Sequence, residues 1–188
     1  MKQIGIFGGT FNPVHIGHLK MAEAARKEYK LSCVYFIPSG VPPHKRKEKL
    51  FPAKLRYKWV LEATRKKKYF KVLDIEIKKK KPAYTIYTIK KFSILYPQLS
   101  ILYFLIGADE FENLKTWKRA TELVKLVTFR VLPRPLKNIK APKIKNLNWK
   151  LVHTKPINIS STEITERLKK GKAVKKLLPR EVRKILCI

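Results

Sequence analysis

The chain has 188 residues, of which 44 are Lys or Arg and 13 are Asp or Glu, so its formal net charge is +31. A hydrophobic content of 45% suits a single folded domain over 1–188 and excludes a wholly disordered basic tail. Two cysteines are too few for a disulfide scaffold, and no apolar run approaches the ~20 residues that span a bilayer. We expect no signal peptide and no membrane partner, and we predict a cytoplasmic protein.

The positive charge attracts polyanions, which include nucleic acid, anionic membrane surfaces and phosphorylated small molecules. The lysines are spread along the whole chain, so most of them are expected to solvate the surface. Charge alone therefore indicates an anionic ligand and does not say which one.

Apolar segments that suit strands alternate with helical stripes. In chain order, the predicted elements are strand 4–7, helix 16–29, strand 33–37, loop 39–51, helix 52–66, strand 70–77, helix 84–96, strand 101–106, one or two short helices within 111–125, strand 127–132, loop 133–148, strand 151–153, helix 162–170 and helix 179–188. Segment 84–96 also has the composition of a strand, but its threefold apolar spacing favours a helix. Several strands are apolar throughout, which predicts an α/β fold with a doubly wound, Rossmann-like parallel sheet.

Segment 8–18, GGTFNPVHIGH, joins the first strand to the first helix, at the edge where open α/β sheets bind ligands. Its first two glycines let the backbone bend towards a ligand, and Gly17 leaves room beside the backbone. The N–H groups of a helix that starts near Ile16 suit a phosphate. His15 and His18 are three residues apart, so they share one helix face. A zinc site is disfavoured because no third ligand has a suitable spacing, and the segment is neither a P-loop nor GxGxxG.

This segment resembles the signature of bacterial nicotinate-mononucleotide adenylyltransferases, a nucleotidylyltransferase family with a His-x-Gly-His motif. The resemblance continues in the family's order over nearly the whole chain, through PPHK 42–45, AYT 83–85, LIGAD 105–109, Trp117, RP 134–135 and ISSTEI 159–164. Class I aminoacyl-tRNA synthetases share the motif, but this chain is too short for one and contains no KMSKS segment.

The resemblance implies transfer of AMP from ATP to nicotinate mononucleotide in NAD synthesis, with release of pyrophosphate. It implies that His15 and His18 are catalytic. The positions that it places at ATP are Gly8, Gly9, Thr10, Phe11, His18, Gly107, Asp109, Arg134, Ile159, Ser160, Ser161 and Thr162. The positions that it places at the mononucleotide are His44, Lys45, Tyr84, Thr85, Trp117 and Lys118.

The chemistry that this reaction needs is mainly positioning and positive charge, because the attacking phosphate is already an anion. The chain has only two Asp, Asp74 and Asp109, which points away from a metal held by several carboxylates. We therefore expect Mg²⁺ to be bound with ATP, and we predict no metal site made by the protein.

Three positions depart from the family pattern. Thr165 stands where the family usually has Arg, and Arg167 lies about 200° further round the helix, so it is no simple substitute. Lys118 replaces a common aromatic residue, and Tyr87 replaces a polar or acidic one. Lys118 pairs with the substrate carboxylate or phosphate in one interpretation and is simply solvated in the other.

Other readings stay open for several residues and for the function. Asp109 could cap a helix, segment 162–166 resembles an imperfect capping box, and loop 42–45 could be an ordinary surface loop. Alternative functions are adenylyl transfer to nicotinamide mononucleotide or phosphopantetheine, or binding of nucleic acid by a basic protein. No helix shows a dense basic face with interleaved aromatics, so we expect no specific nucleic acid partner. The sequence leaves a homo-oligomer open.

Overall fold

In a computed structural model, the chain is described over residues 3–45, 49–78, 81–98, 101–135, 138–155 and 157–188. The strands are β1 (Gln3–Gly9), β2 (Cys33–Pro38), β3 (Phe70–Val72), β4 (Ile101–Gly107), β5 (Thr128–Leu132) and β6 (Trp149–Leu151). The helices are α1 (Ile16–Glu28), α2 (Ala53–Thr64), α3 (Thr85–Leu95), α4 (Ala108–Glu112), α5 (Ala120–Leu126), α6 (Ser161–Lys169) and α7 (Arg180–Leu186). Short 3₁₀ turns at Pro43–Lys45 and Leu114–Thr116 complete the described elements.

The six strands form one parallel sheet in the order β3-β2-β1-β4-β5-β6. Parallel neighbours need crossover connections, and helices supply them between most of the strands. The predicted doubly wound α/β fold is therefore confirmed. The chain reverses its direction of travel across the sheet between β1 and β4, and ligands bind beyond the carboxyl ends of the strands at such a point.

Hydrophobic cores lie on both faces of the sheet, because side chains of a strand alternate between its faces. In β2, Val34 and Phe36 join a core that includes Trp59 of α2, whereas Tyr35 and Ile37 join the other core. That second core includes Phe92 of α3. Strands that are apolar on both sides are thus buried on both sides, as their composition predicts.

The predicted strand 70–77 is wrong beyond Val72, where β3 ends. The backbone turns instead, with Ile77 N–H donating to the Asp74 carbonyl over 3.0 Å. The Lys78 ammonium pairs with the Asp74 carboxylate at 2.8 Å across this turn. Because β3 is a short edge strand, it offers little backbone for pairing with other chains. The turn that follows it contains Glu76, whose side chain is buried.

The predicted strand 151–153 is displaced, because β6 ends at Leu151. The backbone leaves the sheet after Leu151, and the His153 N–H donates to the Glu28 carboxylate at the end of α1, over 2.7 Å.

The predicted helices all form, with ends that differ from the predicted ones by one to a few residues. The region predicted to hold one or two short helices contains α4, a 3₁₀ turn and α5. Among the described residues, no helix is long and apolar enough to cross a membrane.

Candidate active site

A cavity of about 580 Å³ opens beyond the carboxyl ends of β1 and β4, at the point where the direction across the sheet reverses. Nearly all residues that the sequence analysis placed in the site line this cavity. The exceptions are Asp109, which lies outside the lining, and Lys45, whose side chain lies outside what the structure describes. The fold therefore assembles in one place segments that are as far apart in sequence as Gly8 and Thr162.

His15 and His18 face each other at the start of α1, as their spacing predicts. His15 is the N-cap, and its ring nitrogen Nδ1 accepts the His18 N–H at 3.4 Å. The His18 Nδ1 accepts the His15 N–H at 3.2 Å, which completes a reciprocal capping box. The ring centroids are 3.7 Å apart, and both rings line the cavity. The pair is therefore fixed by the helix start itself.

Both histidines are neutral near pH 7. Burial, followed by the positive charge of Arg134, lowers the pKa of His15 to about 3. Burial and the neighbouring His15 and Arg134 also hold the pKa of His18 well below its usual value. Since each Nδ1 accepts a backbone N–H, each neutral ring carries its proton on Nε2. The pair therefore offers hydrogen-bond donors to an anion, without the positive charge of a protonated imidazole.

Gly8 and Gly9 do not form the expected bend, and the space beside them is filled by side chains of the protein. Gly8 and Gly9 both belong to β1, and the left-handed backbone occurs at Phe11, with φ 48°. A Cβ on Gly9 would approach the Phe11 ring to 2.9 Å. Phe11 is buried, and its ring packs edge-on against His18 with centroids 5.1 Å apart. Gly9 thus permits the ring that supports His18.

The expected open space beside Gly17 is also occupied by the protein. A Cβ at this position would lie 2.9 Å from His15 Nδ1, so Gly17 accommodates the histidine ring. The N–H of Ile16 donates to the Leu177 carbonyl at 3.0 Å, and the His18 N–H is used within the cap. The start of α1 therefore presents few backbone donors, and its contribution to the cavity comes mainly from the two imidazoles.

The start of α6 supplies the backbone donors that α1 lacks. Ser160 is the N-cap, and its hydroxyl oxygen accepts the Glu163 N–H at 3.1 Å, so the expected capping box at 162–166 is wrong. This cap leaves the N–H groups of Ser161 and Thr162 for a ligand, because the first turn of a helix has no internal acceptors for them. Residues 159–162 line the cavity, and the partial positive charge of a helix start suits a phosphate there.

Two hydroxyls fasten α6 to the β1–α1 turn. Ser161 Oγ donates to the Pro13 carbonyl at 2.9 Å, and Thr165 Oγ1 donates to the Asn12 carbonyl at 2.8 Å. Thr165, which departs from the family pattern, therefore has a structural contact here. Arg167 is turned away from that position, because its guanidinium pairs with Glu163 at 2.8 Å.

Arg134 and Asp109 form an ion pair at the edge of the cavity. The distance from Arg134 Nε to Asp109 Oδ2 is 3.0 Å, and both side chains are roughly half exposed. The suggestion that Asp109 caps a helix is wrong, because Gly107 is the N-cap of α4 and Asp109 lies within its first turn. Arg134 lines the cavity and is one of its positive groups.

Another part of the cavity wall is aromatic. The Trp117 ring meets Phe104 edge-on, and its indole Nε1–H is buried without a partner among the described residues. The Lys118 ammonium stands 4.6 Å from the Tyr84 ring centroid and 5.3 Å from that of Tyr87. Tyr87, the third departure, therefore helps to hold this lysine. Thr85 at the start of α3 and His44 in the 3₁₀ turn complete the wall.

Comparison with known proteins identifies the family of the chain. The family model described as cytidylyltransferase-like matches residues 6–167. A relative from Thermoanaerobacter sp. (strain X514), named "Probable nicotinate-nucleotide adenylyltransferase", is 42% identical over 98% of this chain and 91% of its own length. One of the same name from Desulfitobacterium hafniense (strain Y51) is 41% identical over 97% of this chain. The chain belongs to the nicotinate-nucleotide adenylyltransferase family.

A solved structure confirms the fold independently. The Plasmodium falciparum nicotinic acid mononucleotide adenylyltransferase complexed with NaAD superimposes with a TM-score of 0.79 at 17% identity. The match covers 100% of this chain and 95% of that one. At this identity, the likeness bears on the fold alone.

Three residues in or directly behind this cavity were missed by the sequence analysis. Arg56 of α2 is almost completely buried and donates to three backbone carbonyls. Asn12 accepts the Phe51 N–H at 2.9 Å through Oδ1. Glu76 lines the cavity and accepts the Thr88 hydroxyl at 2.6 Å. A signal existed for Arg56 alone, because it occupies a core position in the stripe that continues through Trp59 and Val60.

The donor set of the described residues does not form a metal site. Among them, no three His, Cys, Asp or Glu side chains lie together as ligands would. The cavity wall is instead rich in hydrogen-bond donors, which suit the oxygens of phosphates.

Proposed function

We propose that the chain transfers AMP from ATP to nicotinate mononucleotide, giving nicotinate adenine dinucleotide and pyrophosphate, as a step of NAD synthesis. Membership of the nicotinate-nucleotide adenylyltransferase family supports this assignment. The observation that carries it is the single cavity in which the His15–His18 pair and the start of α6 are joined with Trp117 and Lys118. The first two features suit a polyphosphate, and the last two suit an acidic aromatic ring.

In this reaction, a phosphate oxygen of the mononucleotide attacks the α-phosphorus of ATP. The bond from that phosphorus to the bridging oxygen breaks, and pyrophosphate leaves with the electron pair. The attacking oxygen is already anionic, so no side chain has to remove a proton. The residues instead hold two polyanions close together and stabilise the charge that develops between them.

The neutral histidines and the start of α6 would perform this task at the ATP phosphates. The Nε2–H groups of His15 and His18 are placed by the capping box before any ligand arrives, so they need little rearrangement. The free N–H groups of Ser161 and Thr162 would bind the leaving phosphates. Arg134 would add positive charge at the cavity edge, and Asp109 would accept from ribose hydroxyls while it orients Arg134.

The aromatic wall would receive the pyridine ring. A ring that stacks on Trp117, which lines the cavity, gains area-dependent stabilisation. Lys118 is held by the faces of two tyrosines, and its ammonium would attract the nicotinate carboxylate more strongly than a neutral amide. His44 and Lys45 would lie at the nucleotide phosphate. These contacts favour nicotinate over nicotinamide mononucleotide.

We propose that Mg²⁺ enters as part of the Mg–ATP substrate. The ion prefers oxygen ligands and retains water, so phosphate oxygens supply what the described side chains do not. The cytoplasmic location remains a prediction of the sequence, which leaves a homo-oligomer open.

Product analysis tests the proposed function. The purified chain is incubated with Mg–ATP and nicotinate mononucleotide, and the dinucleotide and pyrophosphate are quantified by chromatography. We expect the two products in equal amounts, and none without the mononucleotide. Pyrophosphate that forms without dinucleotide, or no turnover at all, would contradict the assignment.

A further inference from the structure

A buried guanidinium on α2 lies directly behind the proposed active site. Arg56 is only 1% exposed, and its three nitrogens point to three different backbone carbonyls. Nε donates to Phe51 at 2.9 Å, Nη1 to Thr10 at 2.6 Å and Nη2 to Gly40 at 2.9 Å. The donors of a guanidinium have a fixed planar geometry, so the three carbonyls are held in one arrangement.

These carbonyls belong to three separate segments that border the cavity. Thr10 follows β1, Gly40 follows β2, and Phe51 precedes α2. The side chain of Asn12 adds a fourth connection, because its Oδ1 accepts the Phe51 N–H. Arg56 therefore ties the turn that carries His15 and His18 to the neighbouring loops, although it does not itself line the cavity.

The same network reaches the proposed mononucleotide side through Glu76. A Cβ at Gly40 would overlap the backbone carbonyl of Glu76, so the loop after β2 packs tightly on the turn after β3. The buried Glu76 carboxylate accepts the hydroxyl of Thr88, in the first turn of α3. Thr85, which lines the cavity, begins that helix.

The charge on Arg56 is retained despite its burial. Burial lowers the pKa of the guanidinium to about 10, and the nearby Glu76 opposes this fall. Arg56 is therefore still protonated at neutral pH, and all of its donors are present.

We propose that Arg56 is a positioning residue for adenylyl transfer. Its planar donors hold the β1–α1 turn, through the Thr10 carbonyl, in the arrangement that the reaction needs. The inference rests on the proposed function. Alignment of reacting groups is demanding, and a displacement of about 1 Å lowers a rate by a factor of about 10². A side chain that supplied only charge and volume would be replaceable by lysine, whereas three diverging donors are not.

The decisive variant is Arg56→Lys, which keeps the positive charge but brings its donors to a single atom. We expect a cooperative thermal transition and a kcat that is at least 10-fold lower, with the KM for the mononucleotide within threefold of the unmodified chain. Arg56→Met, which has no donors, is expected to fall at least as far. The matched control is Arg65→Lys, just beyond the end of the same helix, where Arg65 is exposed and paired with Glu62. Its kcat should not change.

A kcat of Arg56→Lys within twofold of the unmodified chain would overturn the proposal, because charge and packing would then suffice. Loss of its thermal transition would overturn it too, since Arg56 would be needed for folding itself. Rates are compared on the acceptor that the unmodified chain uses fastest. No turnover of nicotinate mononucleotide by the unmodified chain contradicts the proposed function, whereas retained turnover in Arg56→Lys contradicts only the role of Arg56.

Discussion

The substitution His18→Asn separates the two roles that the structure gives this histidine. In the folded protein, His18 lines the cavity, its Nδ1 accepts the His15 N–H, and its Nε2 therefore carries the ring proton. An asparagine can accept the same N–H through its carbonyl oxygen, but it places no donor at the position of Nε2. We therefore expect a folded protein that has lost most of its turnover.

The expected magnitude follows from the neutral state of the ring. One preorganised donor to a developing oxyanion contributes about 2.7–4 kcal/mol, so kcat should fall by roughly 10²–10³. His18→Ala removes the cap acceptor as well, which adds a stability cost of about 1 kcal/mol. The two variants should thus share a low kcat and differ in melting temperature.

The assay is pyrophosphate release at saturating Mg–ATP and nicotinate mononucleotide, with thermal unfolding measured alongside. The control is His153→Asn, because this exposed histidine pairs with Glu28 at the far end of α1. We expect it to keep its turnover. A His18→Asn protein that retains at least a third of the normal kcat would refute the role of the Nε2 proton.

Four further outcomes are expected. Trp117→Ala should raise the KM for the mononucleotide by roughly 5- to 100-fold through lost stacking, with a much smaller change in the KM for ATP; equal changes would contradict the placement. Lys118→Met should reduce the preference for nicotinate over nicotinamide mononucleotide by up to about fivefold, as suits an exposed charge; an unchanged ratio of kcat/KM would contradict it. Ser160→Ala should cost about 1 kcal/mol of unfolding free energy and raise the KM for ATP, whereas an unaltered denaturation midpoint would argue against the cap. The free energy of unfolding should fall as the pH drops below about 6.5, because His15 and His18 bind protons in the unfolded chain but not in the folded one. In urea titrations at pH 7.5 and 5.5, His15→Asn should show a smaller loss of stability than the unmodified chain. An identical loss would contradict the lowered pKa.

The sheet and the start of α1 could be predicted because their signals are local. Apolar runs identified the strands, and the three-residue spacing identified the shared face of His15 and His18. The strand prediction for 70–77 was wrong beyond Val72 because the alternation of apolar and polar residues continues past that residue. In the structure, a turn follows β3 and Glu76 is buried. That burial depends on Thr88, which is distant in sequence.

The finer features of the site depend on contacts between distant segments. Gly17 looked like space for a ligand, but its space belongs to His15. Thr165 departs from the family pattern, and its hydroxyl donates to the Asn12 carbonyl, 153 positions away. The role of Arg56 involves carbonyl groups, which every residue carries and no sequence pattern marks.

The central claim is that this cavity joins ATP to nicotinate mononucleotide. Initial rates with Mg–ATP and each of three acceptors, nicotinate mononucleotide, nicotinamide mononucleotide and phosphopantetheine, test it most directly. The structure predicts the highest kcat/KM for nicotinate mononucleotide, because Lys118 and the wall at Trp117 favour an acidic aromatic ring. A higher kcat/KM for either of the other acceptors would contradict the account.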